Sequence, residues 1–494
     1  MTTPRINPIA PRLRWDALAP NDIERIHEAT LEILEDTGIR FPSAKALDIL
    51  ARGGCLVDRA TEVAKFPRKV VAEAVALAPR EYVLAGRDPA CDMVIDGKHC
   101  YLSNDGSGVF VLDRKTGEKR PSTKADAAES ARFVDALPNI SYYWGPVVTS
   151  QDVPPATKSL HDSEAVLTNT SKHYQAVTTV GEKAARALVA MAAAIVGGTD
   201  ELRKRPIISF MQCAVDPLAH DGPNLEANLV AAEHGLASGF MPMPLSCGTA
   251  PATLAANLVI QNAEALSGVV LLELAHPGAP AFFAGAPSVI DLKTGGYTGG
   301  SPEDYLLAAA STQLAHFYGL PMATGTMATG AKEPDWQAAV DDSLSTFASV
   351  MTVADMMNGA GLLNGSKILS YPHMVMESEI YGIVQKVAAG ITVNDETLAL
   401  DVIRKVGPNG TFLAEKHTRR HMKEIWRPTV WDRSTYDQWL RDGKKGALAR
   451  ATEIADDILD NYRPEPLPDD VRAELRRIVA RADAEVVGGW PARA

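Results

Sequence analysis

Cysteine and aromatic residues are both scarce, with five cysteines and 6% Phe, Trp and Tyr among 494 residues. Cys55, Cys91, Cys100, Cys213 and Cys247 form no CxxC pair and leave an odd count, which argues against a disulfide framework and a zinc cluster. Small core residues are the reading that remains. A long Lys/Arg block is also missing, and 49 basic against 61 acidic residues give a net charge of -12. Nucleic acids and anionic membranes need clustered positive charge, so neither is an expected partner, and the expected ligand is neutral or cationic. The strongly apolar stretches are residues 187–199, which are too short, and residues 268–283, which Glu273, Pro277 and Pro280 interrupt, so no lipid-spanning helix is expected. The first twenty residues hold four prolines and no apolar core of a signal peptide, and the expected location is the cytoplasm. What is present is a 46% hydrophobic composition, enough for a large buried core.

Apolar periodicity predicts a helix after Asn21, with Ile23, Ile26, Leu31 and Leu34 on one face and Gly38 as its stop. Residues 43–51 and 67–77 repeat the pattern, and turn dipeptides such as Asp96-Gly97 and Asp105-Gly106 then mark short hairpins. From about Ser122 apolar runs alternate with helical stretches. Strand candidates are residues 141–150, 173–180, 206–213, 241–247, 280–286 and 321–326; adding 109–112 and 360–363 gives eight, the number that closes a (β/α)8 TIM-type barrel. An open doubly wound sheet would alternate similarly, but it normally carries a GxGxxG turn after its first strand, and none is so placed. The predicted organisation is an N-terminal helical unit with β-hairpins over 1–121, the barrel over 122–441 and a helical extension over 442–494.

In such a barrel the reacting groups belong at the C-terminal ends of the strands. Those ends read as neutral: Val148-Thr149-Ser150, Thr178-Thr179, Gln212-Cys213, Ser246-Cys247-Gly248, Gly285-Ala286 and Thr324-Gly325-Thr326. No carboxylate cluster or His triad is visible there, so no metal is expected on this chain. Aromatic faces attract a quaternary ammonium through the ring quadrupole. Tyr143 in Tyr142-Tyr143-Trp144 and Phe283 in Phe282-Phe283 are candidate substrate contacts on that ground, although strand alternation leaves packing as the other reading for each. Gln212 at a strand end and Lys332 in the loop GTMATGAKEPDWQA are further candidates, with Glu377 and Tyr381, four residues apart on one helical face in SYPHMVMESEIYGIVQK. His417 and His421 have metal-face spacing, but Thr418, Arg419 and Arg420 stand between them where HExxH needs glutamate; zinc held by these two with Glu424 is geometrically possible, yet the two arginines oppose a cation and favour a structural or anion-contacting role. The glycine-rich TGGYTGGSPED at 294–304 lacks a P-loop lysine and could cover a pocket.

Several strings together resemble the trimethylamine methyltransferase family of corrinoid-dependent TIM-barrel enzymes. They are LPNI at 137–140, TSKH at 170–173, SCGTAPATL at 246–254, QNAE at 261–264, AHPGAP at 275–280 and VGPNGTFL at 406–413 followed by His417-Thr418. The family archetype carries pyrrolysine, which the resemblance places near residues 325–337; every residue here is standard, which points to the pyrrolysine-lacking branch similar to glycine betaine methyltransferases. The resemblance implies transfer of a methyl group from a quaternary amine to Co(I) of cobalamin held on a separate corrinoid protein. No catalytic role passes from it to a particular residue. A quaternary nitrogen leaves as a neutral amine without protonation, so a site poor in acids and bases suffices, and the protein supplies mainly orientation. The expectations that follow are an aromatic-lined cavity at the barrel mouth and a homodimer. The alternative is a non-catalytic quaternary-amine binding or regulatory barrel.

Overall fold

The computed structural model describes residues 5–487, so the extreme ends of the first and last predicted segments lie outside the described residues. Eight parallel strands form one sheet: β1 Tyr101–Asn104, β2 Tyr143–Trp144, β3 Tyr174–Ala176, β4 Ile208–Cys213, β5 Ser238–Met241, β6 Ala281–Gly285, β7 Met322–Gly325 and β8 Met356–Ala360. They pair in chain order, and β8 pairs β1. A parallel bridge from Ser103 to Tyr142 brings β1 beside β2, so the sheet is nearly closed into a barrel. One helix follows each strand: α1 Lys124–Ala136, α2 Lys158–Asn169, α3 Glu182–Val196, α4 Gly222–Glu233, α5 Leu254–Ala275, α6 Pro302–Phe317, α7 Trp336–Met351 and α8 Tyr371–Ala388. This is the (β/α)8 barrel that the alternation of strands and helices predicts.

The strands are buried on both faces, and their side chains divide by the period of two. Tyr142, Trp144, Met211, Phe282, Ala284, Ala323 and Met356 share one cluster inside the barrel. Their neighbours Tyr143, Tyr174 and Phe210, or Phe240, Phe283 and Met322, pack outward against the helices. The strand pair Tyr82–Leu84 and Met93–Ile95 adds Leu84, Met93 and Ile95 to the interior cluster and plugs its N-terminal end.

Helix α5 is long and apolar enough to cross a membrane, yet 78% of its apolar window is buried inside the protein. It is apolar all round because it lies between the barrel wall and the N-terminal helices Pro20–Glu32, Ala44–Arg52 and Arg68–Val75. Gly268 lets it approach, since a Cβ there would stand 2.2 Å from Cδ2 of Phe240. Helices Ala447–Asn461 and Asp469–Val487 close over α8 and α1 and over α2 and α3.

Three strands differ from the sequence reading. The first barrel strand is Tyr101–Asn104 and not residues 109–112, so it falls within the segment read as the N-terminal unit. YLSN is short, buried throughout and half polar, and it carries none of the alternation that marks a one-sided strand. Phe110–Leu112 does alternate, and it forms a small sheet with Lys119–Pro121 and Ile368–Leu369. The fifth strand ends at Met241 because Pro242 and Pro244 follow and have no N–H to donate. The eighth is Met356–Ala360, whose Asn-Gly reads as a turn; Leu362–Leu363 belongs to the small sheet.

Candidate active site at the C-terminal mouth of the barrel

Inside the barrel a polar layer crosses the apolar one. Tyr142 donates its hydroxyl to Oδ1 of Asn358, and the Ser103 hydroxyl reaches the same oxygen at 2.9 Å. Gln175 Nε2 donates to Ser209 Oγ at 3.3 Å. Several buried polar atoms facing this region have no protein partner: Nδ2 of Asn358, Oε1 of Gln175 and Nε1 of Trp144. Buried polar groups are normally paired, so this group of orphans marks the upper barrel as a place built to receive a ligand or water. Trp144 is fixed from behind by Gly106, where a Cβ would sit 2.8 Å from the indole ring.

Asp105 follows β1, with its N–H bonded to the Ala360 carbonyl at 2.7 Å and Oδ1 accepting the Gly106 N–H at 2.7 Å. Burial pushes its carboxyl up to about 7. Asp304 in the first turn of α6 accepts from Ser288 Oγ at 2.6 Å, and burial raises it as well. Glu377 on α8 accepts the Gly361 N–H at 2.6 Å and is raised by burial and then by Asp105. The mouth therefore carries carboxyl groups, although the strand ends themselves are neutral. They come from the turn after β1, from the first turn of α6 and from the second turn of α8 rather than from the strand termini. The Asp304 carboxyl is part of a capping box with Ser301, a signal visible in SPED.

The glycine-rich loop does cover the mouth. Residues 294–300 meet 328–330 from the β7–α7 loop so closely that a Cβ on Gly330 would stand 2.6 Å from the Thr298 carbonyl oxygen. Thr329 Oγ1 donates to Asp341 at 2.7 Å and anchors the second loop to α7. Beneath them lies a cavity of about 40 Å³ lined by Ser288, Tyr297, Asp304, Tyr305, Thr326 and Ser345 among others. That is room for about one or two waters. An aromatic-lined cavity is present, but it is far narrower than the sequence reading expects, because glycine-to-backbone contacts let the two loops approach one another over it.

The candidates from sequence are not gathered in one place. Tyr143 lies on the helix side of β2, bonded to Ser130 at 3.0 Å, and Phe283 packs outward from β6. Their neighbours Tyr142, Trp144 and Phe282 hold the inward positions. Gln212 is buried and donates to the Thr179 carbonyl at 2.9 Å. Lys332 is exposed and donates to Gly330. Glu377 and Tyr381 share the buried face of α8, but Tyr381 donates to the Cys100 carbonyl at 3.0 Å, before β1, while Glu377 is at the opposite end near Gly361. His417 and His421 lie in an exposed arm, where His417 bonds the Glu396 main-chain carbonyl at 2.9 Å and His421 lies 3.3 Å from the Glu396 carboxylate and 2.7 Å from that of Glu424. A surface cleft of about 830 Å³ in the same arm is lined only by residues from 395 to 420.

The strings behind the resemblance serve largely as framework. Lys172 of TSKH is buried and donates to the carbonyls of Val134, Leu137 and Ile140, tying β3 to LPNI. Asn257, close after SCGTAPATL, donates to Pro244, Ser246 and Ser288 and holds the loops after β5 and β6 together.

Comparison with solved structures gives the class first. The chain superposes on the monomethylamine methyltransferase MtmB of Methanosarcina barkeri with a TM-score of 0.51, covering 90% of this chain and 92% of that one at 12% identity. The hydroxylamine complex of MtmB gives 0.51 as well, covering 95% and 92% at 10% identity. The likeness is one of fold, the TIM barrel. Residues 3–487 match the trimethylamine methyltransferase (MTTB) family, and the chain belongs to it. Relatives include the trimethylamine methyltransferase MttB of Desulfitobacterium hafniense strain DCB-2, 37% identical over 94% of this chain and 93% of that protein. The MttB of Methanosarcina barkeri strain Fusaro is 33% identical over 94% of each chain, and the glycine betaine methyltransferase of D. hafniense strain Y51 is 32% identical over 96% and 98%.

Proposed function

We propose that this methyltransferase takes a methyl group from a quaternary amine of the glycine betaine type and delivers it to Co(I) of a corrinoid carried by a partner protein. The observation that carries the reading is the mouth itself: Asp304, Tyr297 and Tyr305 line the cavity under the loops, Asp105 lies close enough to act on the Tyr297 hydroxyl, and the indole N–H of Trp144 is unpaired. Aromatic faces and carboxylates complement a permanent positive charge, and Trp144 offers a donor for a substrate acceptor. Pyrrolysine is absent from the chain, and its family relatives include a glycine betaine methyltransferase.

The corrinoid supplies the nucleophile and takes up the methyl group. The work left to this chain is positional: the acidic rim holds the onium, the aromatic side chains exclude water around it, and the covering loops 294–300 and 328–330 must part to admit substrate and acceptor. No protein acid is required, since the departing amine needs no proton. The test is methylation of Co(I)-cobalamin with glycine betaine as donor, followed by absorbance. Methyl transfer is expected; tight betaine binding without turnover, even with a cognate corrinoid protein, would instead select the binding or regulatory alternative. The homodimer expected from sequence is read by light scattering, where a monomeric mass contradicts it. Its support here is the arm over 391–446, which exposes Ile391, Val393, Leu413 and Tyr436.

A further inference from the structure

Asp342 on α7 and His373 and Glu377 on α8 form a closed cluster whose ligand atoms all lie within 4.8 Å of one another. Each side chain is at most 2% exposed. His373 Nε2 is 3.3 Å from Glu377 Oε1 and 3.6 Å from Asp342 Oδ2. Both Asp342 oxygens, His373 Nε2 and Glu377 Oε1 lack a hydrogen-bond partner, so each of the three residues brings an unpartnered atom to the cluster. Two buried carboxyl groups stand beside one imidazole, and no lysine or arginine pairs with either among the described residues.

The separations discriminate between explanations. They exceed the usual hydrogen-bond range of about 2.7–3.2 Å. The 3.3 and 3.6 Å separations from His373 Nε2 match the edge of a tetrahedron around a cation held at about 2.1 Å, which is about 3.4 Å, and the third edge lies within 4.8 Å. The His373 and Glu377 spacing of one helical turn places both on one face of α8, and the second Glu377 oxygen is held by the Gly361 N–H at 2.6 Å, a contact of the kind that orients a metal ligand. We propose that Asp342, His373 and Glu377 bind one zinc ion, with a water as fourth ligand. Full enclosure makes its role structural: it ties α7 and α8 to the segment after β8 and so holds the wall beside Asp105, whose N–H bonds Ala360 one residue before Gly361. This departs from the expectation of no metal and reassigns Glu377 from substrate contact to ligand. The other cluster, Glu396 with His417 and His421, is exposed, and Arg420 pairs with its carboxylate.

The experiment is expression in medium supplemented with zinc chloride, exhaustive dialysis, and release in guanidinium into a chromogenic chelator. One equivalent of zinc per chain is expected, and below about a tenth of an equivalent the proposal fails. The double variant D342N/E377Q, which keeps side-chain shape and removes both charges, should lose at least tenfold of the zinc while retaining its helical circular dichroism. The variant H417Q/H421Q should keep the full equivalent. Zinc retained by the first variant, or lost from the second, overturns the assignment. This readout is independent of methyl transfer, so its failure leaves the proposed function standing.

Discussion

Asp105 is the residue whose chemistry can be followed most directly. Its carboxyl is moved from 3.8 to about 7 by burial, so between those values the folded chain holds a proton that the unfolded chain has released. Stability from this residue is full below about pH 4 and declines as pH rises to about 7. Asp105→Asn should therefore be more stable than the parent at pH 8 and no more stable at pH 4, read by urea midpoints. The same carboxylate must be ionised to attract an onium, so betaine affinity should rise as pH increases to about 7 and then level off, a slope that the variant lacks. A pH-independent affinity in the parent would remove Asp105 from the site. Gly268 makes a second prediction. Gly268→Ala forces a Cβ against Phe240, and overpacking of this kind costs about 1–3 kcal/mol, visible as a lower urea midpoint. At this scale the sequence is legible in composition but not in direction: YYW and FF mark aromatic strands, while which member faces inward depends on a register that a single residue's slip reverses.

Among elements, the loops and the arm hold the conformational freedom. Glu379 accepts N–H bonds from Thr429, Val430 and Trp431 at 2.9, 3.0 and 2.9 Å, and this one carboxylate pins residues 429–431 to α8. Hydrogen bonds to a charged group contribute about 1.5–3 kcal/mol, so Glu379→Gln should loosen the arm and speed limited proteolysis within 391–446 while the barrel fragment persists. Unchanged cleavage would show that the arm is held elsewhere. Asp341 does the same for the β7–α7 loop through Thr329, and Asp341→Asn should ease loop opening and raise the on-rate of betaine in stopped-flow binding. The alternation of strands and helices was readable because a parallel sheet under helices imposes long apolar runs separated by capped helices such as SPED. Strand β1 was not readable, because its polar, doubly buried YLSN looks like a turn, and β8 was blurred by Asn358-Gly359. The acidic mouth is hidden in the sequence for another reason: Asp304 and Glu377 lie in helices that only the fold brings to the ends of the strands.

For the whole molecule, family membership and the barrel establish a methyltransferase scaffold, and the acidic and aromatic mouth supplies the reading of its substrate. Net charge agrees with that reading, since a chain at -12 favours a cationic ligand. The most direct measurement is a donor panel of glycine betaine, choline, carnitine and trimethylamine, each offered to the purified chain with verified Co(I)-cobalamin. Methylcobalamin formation with a quaternary donor, at least tenfold faster than with trimethylamine, is the predicted result. Transfer from trimethylamine alone, or no transfer from any of the four, would contradict the account.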